Sequence, residues 1–367
     1  MSRARTLSDR ELTLALLARQ LLLTRRPLTA AQAVRRLVAL QAQYSPSPYL
    51  ALHARLDGFA IGDLERSLRR GTVVKATLMR GTLHLVHADA FPAYAAAWLR
   101  QARRMRDGRV PELAERAPEL AGALRSYLRQ PRTTDELRAR TRALVGDAIG
   151  EPSMLLDYAR MSLPLVHVIP SGLWRQHGKF SLVLREDAAS EADDDAAAAG
   201  TVALVRDYLA AFGPATREDL AAFTFLRYHQ LDPALAALSP RRLTDARGRE
   251  LFDLPRAPLP QEDEQPPVRF LPKWDAAVIS HRDRTRILPA GFADVVKGGK
   301  NGEVEATYLV DGQVAGIWRH DERDGVATLT LRALTGERDA PGLEQEAQRL
   351  LALLAPEASR RELTLTT

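Results

Sequence analysis

The sequence predicts an α+β chain built from several small helix-and-ribbon units and a final β-rich unit. Two observations carry this reading. A helix, a turn and a second, capped helix recur three times, each followed by a segment of hairpin character. Beyond residue 263 the helical periodicity gives way to short strand-like runs broken by glycine and aspartate. A length of 367 residues also exceeds what one ordinary core accommodates.

In the first copy LALLARQLLL leads to Thr29-Ala-Ala-Gln32, which opens AQAVRRLVAL. The second runs from ALRSYLR to Thr133-Thr-Asp-Glu136, and the third from ALVRDYLAAFGP to Thr216-Arg-Glu-Asp219. A threonine hydroxyl accepts from the backbone N–H three residues on, and Gln32 or Glu136 reaches back to close a capping box. Asp219 is a shorter version of that signal. The ribbons are predicted in residues 72–87, 164–184 and 242–254, with turn centres at Pro170-Ser-Gly172 and Arg247-Gly248. Helix, capped helix and two-stranded ribbon is the layout of a winged helix, a relative of the helix-turn-helix. The expected units are residues 1–110, 111–200 and 201–262.

Two linkers are expected, one acidic (187–200) and one rich in proline and acid (257–267). After the second come VRFLPKWDAAVIS, RTRILP, VEATYLV, GQVAGIWRH and GVATLTLRAL, read as strands, with a hairpin turn at Val310-Asp-Gly312-Gln. GLEQEAQRLLALLA is read as a closing helix. Residues 263–367 are therefore expected to form a small, β-barrel-like domain.

Composition narrows the function. Without cysteine there are no disulfides, thiolate metal sites or thiol catalysis, and the eight histidines form no metal-ligand spacing. No metal or cofactor is expected. No apolar run reaches eighteen residues and no signal peptide is evident, so a cytoplasmic protein is expected. Residues 1–110 carry 19 Lys and Arg against 7 Asp and Glu, a balance of +12 in a chain whose whole balance is +6. That asymmetry points to a polyanionic partner, although 47 arginines against five lysines also fit a compositional bias.

One position breaks the pattern. Val34, Leu37 and Val38 follow helical spacing, and the next member of the series is Gln41, an amide where a hydrophobe is due. Gln43 would face elsewhere on an ideal helix, but Pro46 and Pro48 end the helix nearby. A broken last turn would let both amides point into one cavity; otherwise Gln41 satisfies a backbone group and Gln43 is exposed.

LVALQAQYSPSPYLALHARL, KATLMRGTLHLVHADAF, YLAAFGPATREDLAAFTFL, FLPKWDAAVISHRDRTRILP and TYLVDGQVAGIWR together resemble the AlkZ/YcaQ family of winged-helix DNA glycosylases, over nearly the whole chain. AAFTFL departs from the family's usual tryptophan and glycine. The resemblance implies three tandem winged helices and a C-terminal β-barrel. It implies that Gln41 and Gln43, matching a Gln-x-Gln motif, are catalytic. It further implies a monofunctional glycosylase that removes bulky N7-alkylpurines and unhooks interstrand crosslinks, in repair and self-resistance to an alkylating natural product. The rival is a non-catalytic winged-helix regulator or scaffold.

The expected partner is double-stranded DNA bearing alkyl adducts, met by a monomer. The candidate DNA contacts are Arg80, Thr82 and His84, placed on one strand face; Arg103 and Arg104, in a basic patch with Arg106; His281, Arg282, Arg284 and Arg286; and Asp311 and Gly312 in the hairpin turn. Structural roles for Thr82 and His84, and a solvated helix face for the patch, stay open.

Overall fold

The computed structural model describes residues 5–176, 178–188, 193–298, 302–335 and 340–366. The first unit runs β1 (Thr6–Leu7), α1 (Asp9–Arg19), α2 (Ala30–Arg36), β2 (Leu40–Gln41), α3 (Ser47–Arg55), α4 (Ile61–Arg69), β3 (Val73–Leu78) and β4 (Thr82–His87). A long helix α5 (Phe91–Arg109) leads to α6 (Ala117–Tyr127), β5 (Arg132–Thr133), α7 (Thr134–Val145), α8 (Pro152–Ser162), β6 (Leu165–His167) and β7 (Ser181–Leu184). The third unit is α9 (Asp194–Phe212), α10 (Arg217–Thr224), α11 (Tyr228–Leu238), β8 (Arg241–Asp245) and β9 (Glu250–Asp253). Last come β10 (Arg269–Leu271), α12 (Ala276–Ile279), α13 (Ala293–Val296), β11 (Thr307–Val310), β12 (Gln313–Arg323), β13 (Val326–Ala333), α14 (Leu343–Leu354) and β14 (Arg360–Thr366).

All three expected caps form. Thr29, Thr133 and Thr216 each accept from the third backbone N–H of their helix, and Gln32, Glu136 and Asp219 each return the bond. The three ribbons form too, as antiparallel pairs β3–β4, β6–β7 and β8–β9, but β6 ends at His167 and β7 begins at Ser181, so Pro170-Ser-Gly172 is not the centre of a tight hairpin turn. A further helix (α4, α8 or α11) precedes each ribbon, which the repeat did not specify. The first two ribbons merge through the β3–β6 pairing into one sheet of order β2-β4-β3-β6-β7-β5. The third pairs with the N-terminal strand, Thr6 opposite Thr244.

Several expectations change. The acidic stretch is not all linker: residues 189–192 lie outside the described residues, but from Asp194 it is the first turn of the long helix α9, capped by the Asp193 carboxylate. Acidic side chains suit that end of a helix dipole. Gly200 lets α9 press on α5, since a Cβ there would lie 2.2 Å from the Ala93 carbonyl oxygen. Residues 257–267 hold no helix or strand but are pinned, Ala257 and Pro258 carbonyls accepting from Arg241 and Arg19. RTRILP is a loop rather than a strand, because Ile287 and Leu288 turn inward to the core. The C-terminal sheet has order β10-β11-β12-β13-β14, and α14 does not end it: β14 follows, parallel to β13. The β11–β12 turn is tight as expected, with Asp311 and Gly312 both left-handed at φ 45° and 82°.

A buried ion pair fastens the first unit to the last. Arg55, at the end of α3, donates to both carboxylate oxygens of Asp275 at 2.8 and 2.7 Å, and both side chains are 1% exposed. Asp275 also caps α12. Removing one charge would strand the other in a dry site. We therefore expect Asp275→Asn to lower the unfolding free energy by about 3–5 kcal/mol in urea titration; a change under about 1 kcal/mol would mean that the pair is not load-sharing.

Candidate active site

The helix opened by Thr29 ends at Arg36, earlier than its apolar spacing suggests. Val38 then adopts φ 70°, a left-handed conformation costly for a β-branched residue, and the chain straightens into β2. Leu40 pairs with Leu85 and Gln41 with His84, and the Ala42 N–H donates to the Leu83 carbonyl at 2.7 Å. Extended backbone, rather than a frayed helical turn, therefore carries Gln41 toward Gln43. Residues two apart on extended chain share a side, and both amides line one open cleft of about 1380 Å³.

Gln41 is buried and Gln43 exposed. Arg80 Nη2 donates to Gln41 Oε1 at 3.1 Å, while its Nη1 donates to the Phe223 carbonyl at 3.0 Å. The guanidinium lies 5.2 Å from the Phe223 ring. Because a guanidinium only donates, this contact decides which end of the Gln41 amide meets it. The oxygen turns to Arg80, so the NH₂ end remains for the cleft. Gln43 makes no hydrogen bond among the described residues.

Arg80 is not on a strand face with its neighbours. It occupies the β3–β4 turn at φ 60°. Thr82 lines the cleft, its hydroxyl donating to the Met79 carbonyl. His84 is buried beside Gln41 across the strand pair, with Nδ1 3.0 Å from the Thr82 carbonyl oxygen. Burial, then the Arg80 charge, lowers its pKa to about 3, so it is a neutral support.

The opposite wall comes from α10, Phe225, Tyr228, and residues 274–297 and 302–304. Asp219, the α10 capping residue, also accepts the Arg282 backbone N–H at 2.7 Å and so ties the arginine-rich loop to the helix. Arg282 and Arg284 line the cleft with Lys297, and Asp283 beside them is paired with Arg247 and Arg249. Burial and the Arg284 charge lower the Arg80 pKa to about 10, which leaves it cationic at neutrality. The cleft is therefore net basic.

His281 and Arg286 are not free to meet a ligand by their polar ends. His281 Nε2 lies 3.0 Å from the Phe212 carbonyl oxygen, and Arg286, buried, donates to the Pro214 carbonyl. Arg103 and Arg104 lie on α5 outside the cleft, Arg104 3.2 Å from His229, and Arg106 is buried against Tyr158. The Asp311–Gly312 turn is docked on α1: Asp311 pairs with Arg10, and a Cβ on Gly312 would lie 2.9 Å from Leu17. Sequence reading missed Phe225, Tyr228, Trp274 and Lys297, which line the cleft. The exposure of Phe225 and Tyr228, 43% and 40%, is the structural signal; in sequence they look like core residues.

Four buried histidines give the protein a pH signature. His53, His84 and His281 have pKa values lowered to about 3, and His167 well below its ordinary value, with burial the first cause in each. The unfolded chain binds protons below about pH 6.5 where the folded chain does not. Stability is then fully present above pH 6.5 and lost as pH falls toward 3. We expect chemical denaturation to show a decline on the order of 1 kcal/mol per pH unit for each such histidine; a flat profile between pH 6.5 and 4.5 would contradict neutral burial.

Among the described residues, no helix is long and apolar enough to cross a membrane, and no cluster of His, Asp and Glu is placed to hold a metal. The structure superimposes on the DNA glycosylase AlkZ of Streptomyces sahachiroi with a TM-score of 0.77, covering 98% of this chain and 100% of that one at 20% identity. A likeness at that identity speaks for the fold. No curated protein matches the sequence significantly. The family model described as DNA glycosylase AlkZ-like matches residues 34–353. By that match, which spans most of its length, the chain belongs to the AlkZ-like DNA glycosylases.

Proposed function

We propose that this DNA glycosylase hydrolyses the N-glycosidic bond of purines carrying bulky N7-alkyl groups, with Gln41 and Gln43 holding the attacking water. The single observation that carries the reading is that two amides line one open, basic cleft. Among the described residues the carboxylates that share a cavity with them are engaged or remote: Asp283 pairs with Arg247 and Arg249, Glu303 with Lys273, Glu305 with Lys273 and Arg319, and Glu218 lies on the far wall with α10. Amides position water but do not remove its proton near neutrality. Such equipment suits a leaving group that is already cationic.

In the proposed step the C1′–N9 bond breaks and its electron pair neutralises the alkylpurinium ring. Water adds to C1′ and gives one proton to solvent, leaving an abasic sugar and the free neutral base. Gln43 Oε1 accepts from the water, the remaining lone pair of Gln41 Oε1 or its NH₂ group holds it, and Arg80 fixes the Gln41 amide plane. A bulky crosslinked adduct needs an open cleft rather than an enclosed pocket, which fits a volume of about 1380 Å³. Unhooking of interstrand crosslinks, and self-resistance to an alkylating natural product, follow from the same substrate class.

We read the three capped helix pairs with their ribbons as winged helices in residues 1–110, 111–200 and 201–262, and residues 263–367 as the barrel-like domain. Within this reading the protein acts as a monomer on alkylated double-stranded DNA, in the cytoplasm. Arg282, Arg284 and Lys297 then meet backbone phosphates, and Phe225 and Tyr228 present ring faces to the DNA. His281, Arg286, Asp311 and Gly312 serve the fold instead.

Excision of an N7-alkylguanine from duplex DNA, followed by alkaline cleavage of abasic sites, tests the assignment. Gln41→Ala and Gln43→Ala should each lower kcat by about 10²-fold, and wild-type rates in both would end it. Lys297 brings an amine into the cleft. Borohydride should nevertheless trap no covalent protein–DNA adduct, since we assign Lys297 to phosphate; trapping lost in Lys297→Ala would instead show a lyase step. Binding should weaken steeply with salt, with a log–log slope reduced by about 1 in Arg282→Ala.

A further inference from the structure

A second cavity of about 570 Å³ adjoins the cleft, and Gln43 and Trp274 line both. Trp274 is held as a partition: its backbone is left-handed at φ 56° and its Nε1 donates to the Gly302 carbonyl at 3.0 Å. Beyond it Tyr44, Trp174 and Trp318 supply aromatic walls, with Leu50 and Leu354 among the apolar lining. The Trp318 N–H is already spent on the Leu271 and Thr307 carbonyls, and Trp174 rests edge-on against Tyr49 at 5.2 Å. Most of the charges lining it are paired, Lys273 with Glu303 at 2.8 Å and Arg319 with Glu305 at 3.4 Å, while Arg175 donates to the Leu354 carbonyl and lies over the Trp174 ring. Tyr44, next to Gln43 in sequence, remains 42% exposed.

We propose that this cavity receives the alkyl portion of the lesion, when that portion is a flat aromatic group of drug-like size, while the base it is attached to lies against Gln41 and Gln43. The inference rests on the glycosylase reading above and deepens it. Three observations choose the occupant. The volume falls within the range of drug-sized ligand sites and is larger than one purine ring system needs. The walls offer ring faces for stacking, and the guanidinium of Arg175, which has no carboxylate partner among the described residues, lies over the Trp174 ring, so they favour a flat aromatic group. The shared Gln43–Trp274 wall places the occupant next to the reacting base, within reach of a substituent attached to it. The cavity thereby converts the bulk of an adduct into binding energy instead of a clash.

The test compares two duplexes, one bearing N7-methylguanine and one bearing N7-(naphthylmethyl)guanine, in single-turnover excision. The readout is the ratio of kcat/KM for the naphthyl lesion to that for the methyl lesion. The ratio should exceed one in the wild-type protein and fall about tenfold in Trp174→Ala. Tyr44→Ala, at an exposed position where folding is not at stake, should lower it in the same direction by about threefold. Free 2-naphthylmethanol in excess should lower the ratio by competing for the cavity, with the methyl duplex unaffected; equal inhibition of both duplexes would place the aromatic site in the cleft itself and overturn the proposal. An unchanged ratio in both variants, with unaltered melting temperatures, would overturn it while leaving the glycosylase reading intact. Excision of neither lesion by the wild-type protein would remove the N7-alkylpurine reading and this inference together.

Discussion

The cleft depends on the bidentate pair of Arg55 and Asp275. Arg55 ends α3, the helix that begins four residues after Gln43, and Asp275 follows Trp274 directly. Two charges removed from water are stable only while they satisfy each other, so the pair enforces a distance instead of merely adding stability. It sets how far the extended Gln41–Gln43 segment stands from the segment that carries Trp274 and, eight residues on, Arg282. A surface pair would tolerate drift; this one, 1% exposed on both sides, does not.

Around that fixed separation the charges are divided by role. Arg19 and Arg241 are consumed by the buried carboxylate of Asp253, and Arg286 by a backbone carbonyl. Arg282, Arg284 and Lys297 face the cleft without carboxylate partners among the described residues. Asp219 makes this possible by holding the loop through the Arg282 backbone, which leaves its side chain uncommitted. Positive charge is thus concentrated on the face that would meet a polyanion, although the whole-chain balance is only +6.

The amide pair explains why so little acid–base machinery surrounds it. Arg80 takes the oxygen of Gln41, and His84 behind it is kept neutral by burial. The site orients and does not ionise. Its selectivity then falls to what the leaving group brings and to what the adjoining aromatic cavity accepts.

Local chemistry was legible in the sequence because it acts over three or four residues. The threonine caps, the hairpin turns at Gly248 and Gly312, and the three ribbons depend on neighbours in the chain, and all appear where their signals stand. The oddity of Gln41 was legible too, as an amide in an apolar series, and the chain-long resemblance identified the family. Other features depended on partners far away in sequence. The end of α2 is set by a left-handed Val38 and by pairing with β4, over forty residues on, so periodicity overran it. Arg106, Arg286 and His281 look like surface cations in one dimension, but packing supplies them with Tyr158, Pro214 and Phe212. Phe225 and Tyr228 look like core residues and are exposed. By itself the sequence determined which caps and ribbons form and which family the chain belongs to, since those follow from short-range bonding and residue order. Which side chains face the cleft was decided only by tertiary structure, because burial is a property of contacts between segments and no single segment contains it.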